Sequence, residues 1–132
     1  PPLLLDGAHN PQGVQMLAEF LQGLPRARTV LLCGIMADKD WQAMARILAA
    51  VSDEAVTVAP DNKRALPAAA LAYALGGHGV SARAADTLAG AYQAARSLAG
   101  PQGRIVAAGS LYLVGELRTL AVGPDSALLA QE

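Results

Sequence analysis

Two short stretches of this chain carry side chains whose types and spacing suit chemistry on a polar, charged ligand. The first runs Leu5-Asp6-Gly7-Ala8-His9-Asn10-Pro11. Leu3, Leu4 and Leu5 make a short apolar strand, and Asp6 stands at its end, where a carboxylate can enter a crevice. Gly7 permits a tight turn or the close approach of a ligand. Asn10 followed by Pro11 is a helix start: asparagine suits the N-cap, and proline at the first helical position loses no useful N–H. His9 therefore lies beside a helix N-terminus, whose free N–H groups favour an anion. A carboxylate, an imidazole and a helix N-terminus within five residues suit a ligand with hydroxyl, phosphate or carboxylate groups. The second stretch is Gly109-Ser110-Leu111-Tyr112, where a hydroxyl again opens a helix. Taken singly, each residue has a plainer reading. Asp6 can bond only its own turn, Asn10 and Ser110 can be caps, and Tyr112 can pair with Glu116 four residues on.

Both stretches need a frame to hold them together. Short apolar runs alternate five times with patterns of helical period. Strands are expected at 3–5, 29–33, 55–59, 79–82 and 104–108. Helices are expected at 11–21, at 41–50 behind an Asp40 cap, at 65–75 with Pro67 in the first turn, at 87–99 behind an Asp86 cap, and behind a Ser110 cap through about residue 120. The tail after Gly123-Pro124 is expected to fray. Such alternation predicts an α/β fold, a Rossmann-like open, mostly parallel sheet with helices on both faces. Ligands of these sheets bind outside the carboxyl ends of the strands. The turns after the strands, 6–10, 34–39, 60–64, 83–86 and 109–110, are thus where function belongs. Arg64, at the start of a predicted helix, opposes the helix dipole and is a candidate phosphate contact. His78, among glycines, reads as a loop residue.

The 132 residues fit one domain with one core. With 53% hydrophobic and only 16% charged residues, the chain folds and has an apolar share high enough that part of its surface faces something else. A net charge of -1 and scattered cations, Arg26 and Arg28 among them as a solvated loop, argue against nucleic acid as a partner. Cys33, the single cysteine, sits in an apolar run and reads as core. It excludes an intrachain disulfide and a thiolate metal site, and suits a reducing, cytoplasmic setting. No run of about 20 apolar residues exists to span a membrane, and no basic segment precedes the first strand. The start at Pro1-Pro2 reads as a cut at a linker of something longer. There is no Gly-x-x-x-x-Gly-Lys-Ser/Thr phosphate loop, no dinucleotide fingerprint and no metal-ligand spacing.

The first motif with Gly13 after it, the middle stretch Gly34-Ile35-Met36-Ala37-Asp38-Lys39-Asp40, and Gly109-Ser110-Leu111-Tyr112-Leu113-Val114-Gly115-Glu116 together resemble the folylpolyglutamate synthase / dihydrofolate synthase family of the Mur ligase superfamily. The resemblance spans nearly the whole chain. It implies that the chain is the C-terminal domain of a longer ATP-dependent ligase, with the phosphate-loop domain absent. That ligase would join L-glutamate to dihydropteroate or folate through an acyl phosphate, using ATP and Mg2+ held mainly by the N-terminal domain of the same parent, as a monomer. By the same resemblance, His9 is catalytic, stabilising charge near the phosphates or the glutamate. Asp6 contacts the nucleotide ribose or the glutamate ammonium, Asn10 orients the nucleotide-facing turn, and Ser110 bonds a glutamate carboxylate; no metal ligand is expected. Two rival readings are a cell-wall Mur ligase C-terminal domain and a non-catalytic flavodoxin-like binding module. The late Ser110 motif weighs against the first, and the missing acidic pair after the first strand against the second.

Overall fold

A computed structural model of the chain describes residues 1–122; the expected fraying after Gly123-Pro124 lies outside the described residues. Five strands and five helices alternate, as the periodicity predicts. They are β1 (Leu3–Leu5), α1 (Pro11–Gln22), β2 (Thr29–Cys33), α2 (Trp41–Ala49), β3 (Glu54–Thr57), α3 (Ala68–Gly76), β4 (Ser81–Ala84), α4 (Leu88–Ala99), β5 (Arg104–Ala108) and α5 (Leu111–Val122). The sheet is wholly parallel, in the order β1-β5-β2-β3-β4.

Alternation along the strands divides the apolar residues between two faces. Leu31, Cys33, Ala55, Val106 and Ala108 face α1, α2 and α3, meeting Val14, Leu17, Met44, Leu48, Leu71 and Leu75. Val30, Leu32, Val56, Ile105 and Ala107 face α4 and α5, meeting Ala91, Ala95, Leu113 and Leu117. Register agrees: Leu31 lies between Val106 and Ala55, and Val30 beside Ile105. The first three crossovers run one way along the sheet and the fourth runs back. Since crossovers are right-handed, that reversal places α4 opposite α1, α2 and α3. Both edge strands are short, and β4 is mostly exposed. No helix among the described residues is long and apolar enough to cross a membrane.

Several boundaries differ from expectation. The third helix begins at Ala68 rather than residue 65, because Ala65 instead forms an antiparallel bridge with Met36. Arg64 therefore precedes the helix by four residues and escapes its dipole; it pairs with Asp38 at 3.1 Å. The fourth helix is capped by Thr87, whose side chain accepts from the Gly90 N–H, and not by Asp86. β3 starts and ends earlier than expected, and β4 lies two residues later. Arg28 stays in an exposed loop, as expected, while its side chain donates to the Leu98 carbonyl at 2.8 Å and pairs with Glu54 at 2.9 Å.

Two tests follow from this packing. Gly109 has φ +116, and a Cβ there would lie 2.6 Å from the Gly34 carbonyl oxygen. Gly109→Ala is expected to destabilise the chain by about 3 kcal/mol, read from the urea midpoint, through backbone strain and the backbone clash together. Cys33 is fully buried, and burial pushes its thiol up to about 12. It is expected to stay unreactive toward a disulfide thiol reagent in the native chain and to react on unfolding.

Candidate functional site

A parallel sheet with helical crossovers sends every helix N-terminus to the carboxyl edge of its strands. Two of these N-termini meet because β5 is the sheet partner of β1. The Asp6 N–H donates to the Ala107 carbonyl at 3.0 Å, and the Gly109 N–H donates to the Ala8 carbonyl at 2.9 Å. The turn after β1 and the turn after β5 are thereby laced together. Their helices leave on opposite faces, α1 on one and α5 on the other. This is a topological switch point, where open α/β sheets bind ligands.

The local geometry is set by short-range bonds. Asp6 Oδ1 accepts from the Ala8 N–H at 2.8 Å, so one carboxylate oxygen organises the turn. His9 Nδ1 lies 2.9 Å from the Gly7 carbonyl oxygen. A carbonyl can only accept, so this contact places a proton on Nδ1 and leaves Nε2 as the uncommitted ring nitrogen. Asn10 Oδ1 accepts from the Gly13 N–H at 2.8 Å, with Pro11 at the helix start, as its sequence predicts. The backbone N–H groups of Gly7, His9 and Asn10 make no hydrogen bond to another described residue. Half-buried Asp6, His9 and Asn10 line a shallow cavity of about 300 Å³ with Gly7, Ala8, Gly13 and Leu111.

Ser110 is not among the residues that line this cavity; at 1% exposure it is buried beside Leu111, which does line it. Its Oγ accepts from the N–H groups of Tyr112 at 3.0 Å and Leu113 at 3.5 Å, capping α5. That cap leaves the hydroxyl proton to be donated elsewhere. Tyr112 and Leu111 are half exposed beside it. Leu111 is the cavity residue that side-chain chemistry alone passes over; its place directly after a predicted cap is the available signal.

The neighbouring end of β2 is roofed. The loop after β3 packs Pro60 over Gly34, where a Cβ would come 2.5 Å from the Val58 carbonyl oxygen. The Ala37 N–H donates to the Arg64 carbonyl at 2.7 Å, and the Leu66 N–H to the Ile35 carbonyl at 2.8 Å. Glu116 does not bond Tyr112; its Oε2 accepts from the Asp61 N–H at 3.2 Å. Burial raises the Glu116 pKa, the Asp61 N–H lowers it, and the Asp61 carboxylate raises it again.

A larger hollow, about 680 Å³, opens at the amino edge of the sheet beside Arg26, Arg28 and Arg104. The C-terminal ends of α1 and α2 ring it, and their carbonyls oppose an anion. Arg104 is held by Thr29 Oγ1 at 2.9 Å and by the Pro25 carbonyl at 3.0 Å. Size alone favours that hollow; unbonded N–H groups and convergent side chains favour the smaller one. Among the described residues, no three His, Cys, Asp or Glu side chains group to hold a metal ion.

Known proteins match this chain in both sequence and shape. The family model described as "Mur ligase, glutamate ligase domain" matches residues 1–111. A folylpolyglutamate synthase of Lacticaseibacillus casei is 35% identical over 130 residues, covering 96% of this chain and 28% of that protein. The structure of E. coli FolC in complex with DHPP and ADP superposes with a TM-score of 0.85 at 25% identity, covering 94% of this chain and 29% of that one. The Mycobacterium tuberculosis folylpolyglutamate synthase complexed with ADP and AMPPCP gives a TM-score of 0.81 at 34% identity, over 89% of this chain and 29% of that one. This chain thus spans less than a third of the length of each of these relatives. Laced turns at the β1/β5 switch point, the parallel five-stranded fold and the match over residues 1–111 place the chain in the Mur ligase glutamate ligase domain family.

Proposed function

We propose that this chain is the C-terminal domain of an ATP-dependent ligase that joins L-glutamate to dihydropteroate or a folate through an acyl phosphate. The observation that carries the reading is the convergence of Asp6, His9, Asn10 and Ser110 on two adjoining helix N-termini, tied by the Gly109–Ala8 bond. Relatives named folylpolyglutamate synthase support the reaction class, as does a relative that binds ADP and DHPP.

ATP supplies the phosphoryl group that activates the carboxylate of the folate substrate. The unbonded N–H groups of Gly7, His9 and Asn10, beside the α1 N-terminus, fit a phosphate of that nucleotide. Mg2+ is assigned to the N-terminal, phosphate-loop part of the parent; among the described residues of this chain the carboxylates do not group into a metal site. Asp6 spends one oxygen on its turn and offers the other to a ribose hydroxyl or to the glutamate ammonium. Asn10 fixes the turn that faces the nucleotide. His9, with Nδ1–H committed to Gly7, presents Nε2; protonated, it donates to the charge that develops on the phosphate or the glutamate. It stabilises charge and is not a nucleophile. Ser110 sets the α5 N-terminus and directs its remaining proton to a glutamate carboxylate. Closure of this domain over the nucleotide excludes water from the labile acyl phosphate. The parent acts as a monomer in the cytoplasm.

The first test is ADP release by the full-length parent, given ATP, magnesium and either dihydropteroate or tetrahydrofolate, with and without L-glutamate. Release that needs glutamate and one of these acceptors is expected; release that needs a cell-wall precursor instead would overturn the folate assignment. The 132-residue chain alone is expected to release no ADP. In the full-length parent, His9→Ala and Asp6→Ala are each expected to lower kcat/KM by about 100-fold, with folded circular dichroism spectra retained. Near-normal rates for both variants would remove the site assignment.

A further inference from the structure

The loop between β3 and α3 crosses the carboxyl end of β2 from one face of the sheet to the other. On the α2 and α3 side it is bonded by backbone: Arg64 to Ala37, Leu66 to Ile35, and the Met36–Ala65 bridge. On the α5 side it is held by a side chain, the Glu116 carboxylate that accepts from the Asp61 N–H. Glu116 stands six residues beyond Ser110, within α5. The helix that begins at the candidate site therefore also grips the roof of the neighbouring strand.

That grip is an unexpected choice for stability alone. Glu116 is part-buried with the Asp61 carboxylate close enough to repel it. A neutral acceptor would bond the same N–H without the conflict. At 3.2 Å the carboxylate makes one ordinary hydrogen bond to a single amide, and it is this bond that ties the loop to α5. What it holds is Pro60 against Gly34, the contact that closes the β2 end of the crevice. Beyond that closed end lies the corner at β1 and β5, where Asp6 and His9 stand and where Leu111, the first residue of α5, forms part of the lining.

We propose that Glu116 is a positioning residue, which ties the β3–α3 loop to α5 and so fixes the helix whose first residue, Leu111, lines the ligand corner at β1 and β5. The proposal rests on the ligase reading for its kinetic consequence, while the pin itself is a property of this chain. Releasing the loop loosens α5, which carries Ser110 and Leu111 at its start. The cost then falls on ligand positioning rather than on the fold.

Two measurements separate the parts. In the 132-residue chain, amide hydrogen exchange at Asp61 is expected to quicken about tenfold in Glu116→Ala and to stay near the parent rate in Glu116→Gln, which keeps an acceptor oxygen. Unchanged Asp61 exchange in Glu116→Ala overturns the pin. In the full-length parent, Glu116→Ala is expected to raise the KM for L-glutamate about tenfold with kcat changed less than about threefold, and Glu116→Gln to restore it. Faster Asp61 exchange with an unchanged KM overturns the positioning role. Equal damage from both substitutions does the same, since charge or packing would then matter and not the bond. A parent that shows no glutamate-dependent ADP release overturns the ligase reading, and with it the positioning role, while Asp61 exchange still decides the pin.

Discussion

The hydrogen bond from the Gly109 N–H to the Ala8 carbonyl joins the first turn of the chain to the last. It exists because β5 enters the sheet between β1 and β2, so that residues a hundred positions apart become neighbours. Gly109 reaches it only with a positive φ, and a side chain there would strike the Gly34 carbonyl. The candidate site, the crossing of the β2 loop beneath it and the start of α5 are all set from this point. Ser110 can cap α5 where it does because Gly109 has already turned the chain.

A fully parallel sheet also divides its two ends by charge. Every helix runs against its strands, so free N–H groups collect at the carboxyl edge and free carbonyls at the amino edge. The side chains complement this. Arg28 and Arg104 sit at the amino edge, where they satisfy carbonyls of Leu98 and Pro25. Asn10 and Ser110 sit at the carboxyl edge, where they satisfy some N–H groups and leave others open to a ligand. This division of charge favours the smaller hollow, at the carboxyl edge, as the candidate corner for an anionic ligand.

Most of the architecture was legible in the sequence, because short apolar runs and helical spacing are local signals. Strands β1, β2 and β5 lie where the apolar runs put them, and Asn10, Asp40 and Ser110 cap the helices that they precede. What the pattern missed was decided by contacts distant in sequence. Ala65 looks helical among alanines, yet Met36 pairs with it and delays the helix to Ala68. Glu116 and Tyr112 have the spacing of a helical pair, but the Asp61 amide, 55 residues away, takes the carboxylate. The residues of the corner were readable from their types and their place after strands. The proton on His9 Nδ1 and the burial of Ser110 were not, since both depend on the backbone of the folded turn.

The strand order has a kinetic side. Among the described residues β1 pairs with β5 alone, and β5 is the last of their five strands to be made. While the chain is being synthesised, β2, β3 and β4 can already pair in sequence order, but β1 must wait with both edges unpaired. Leu31 and Val30 meanwhile face an open slot that only Val106 and Ile105 will fill. Closing so long a loop before its contacts form is slow, as expected for non-local parallel pairing. The length of β1, three residues, keeps that waiting edge too short to attract a partner from another chain.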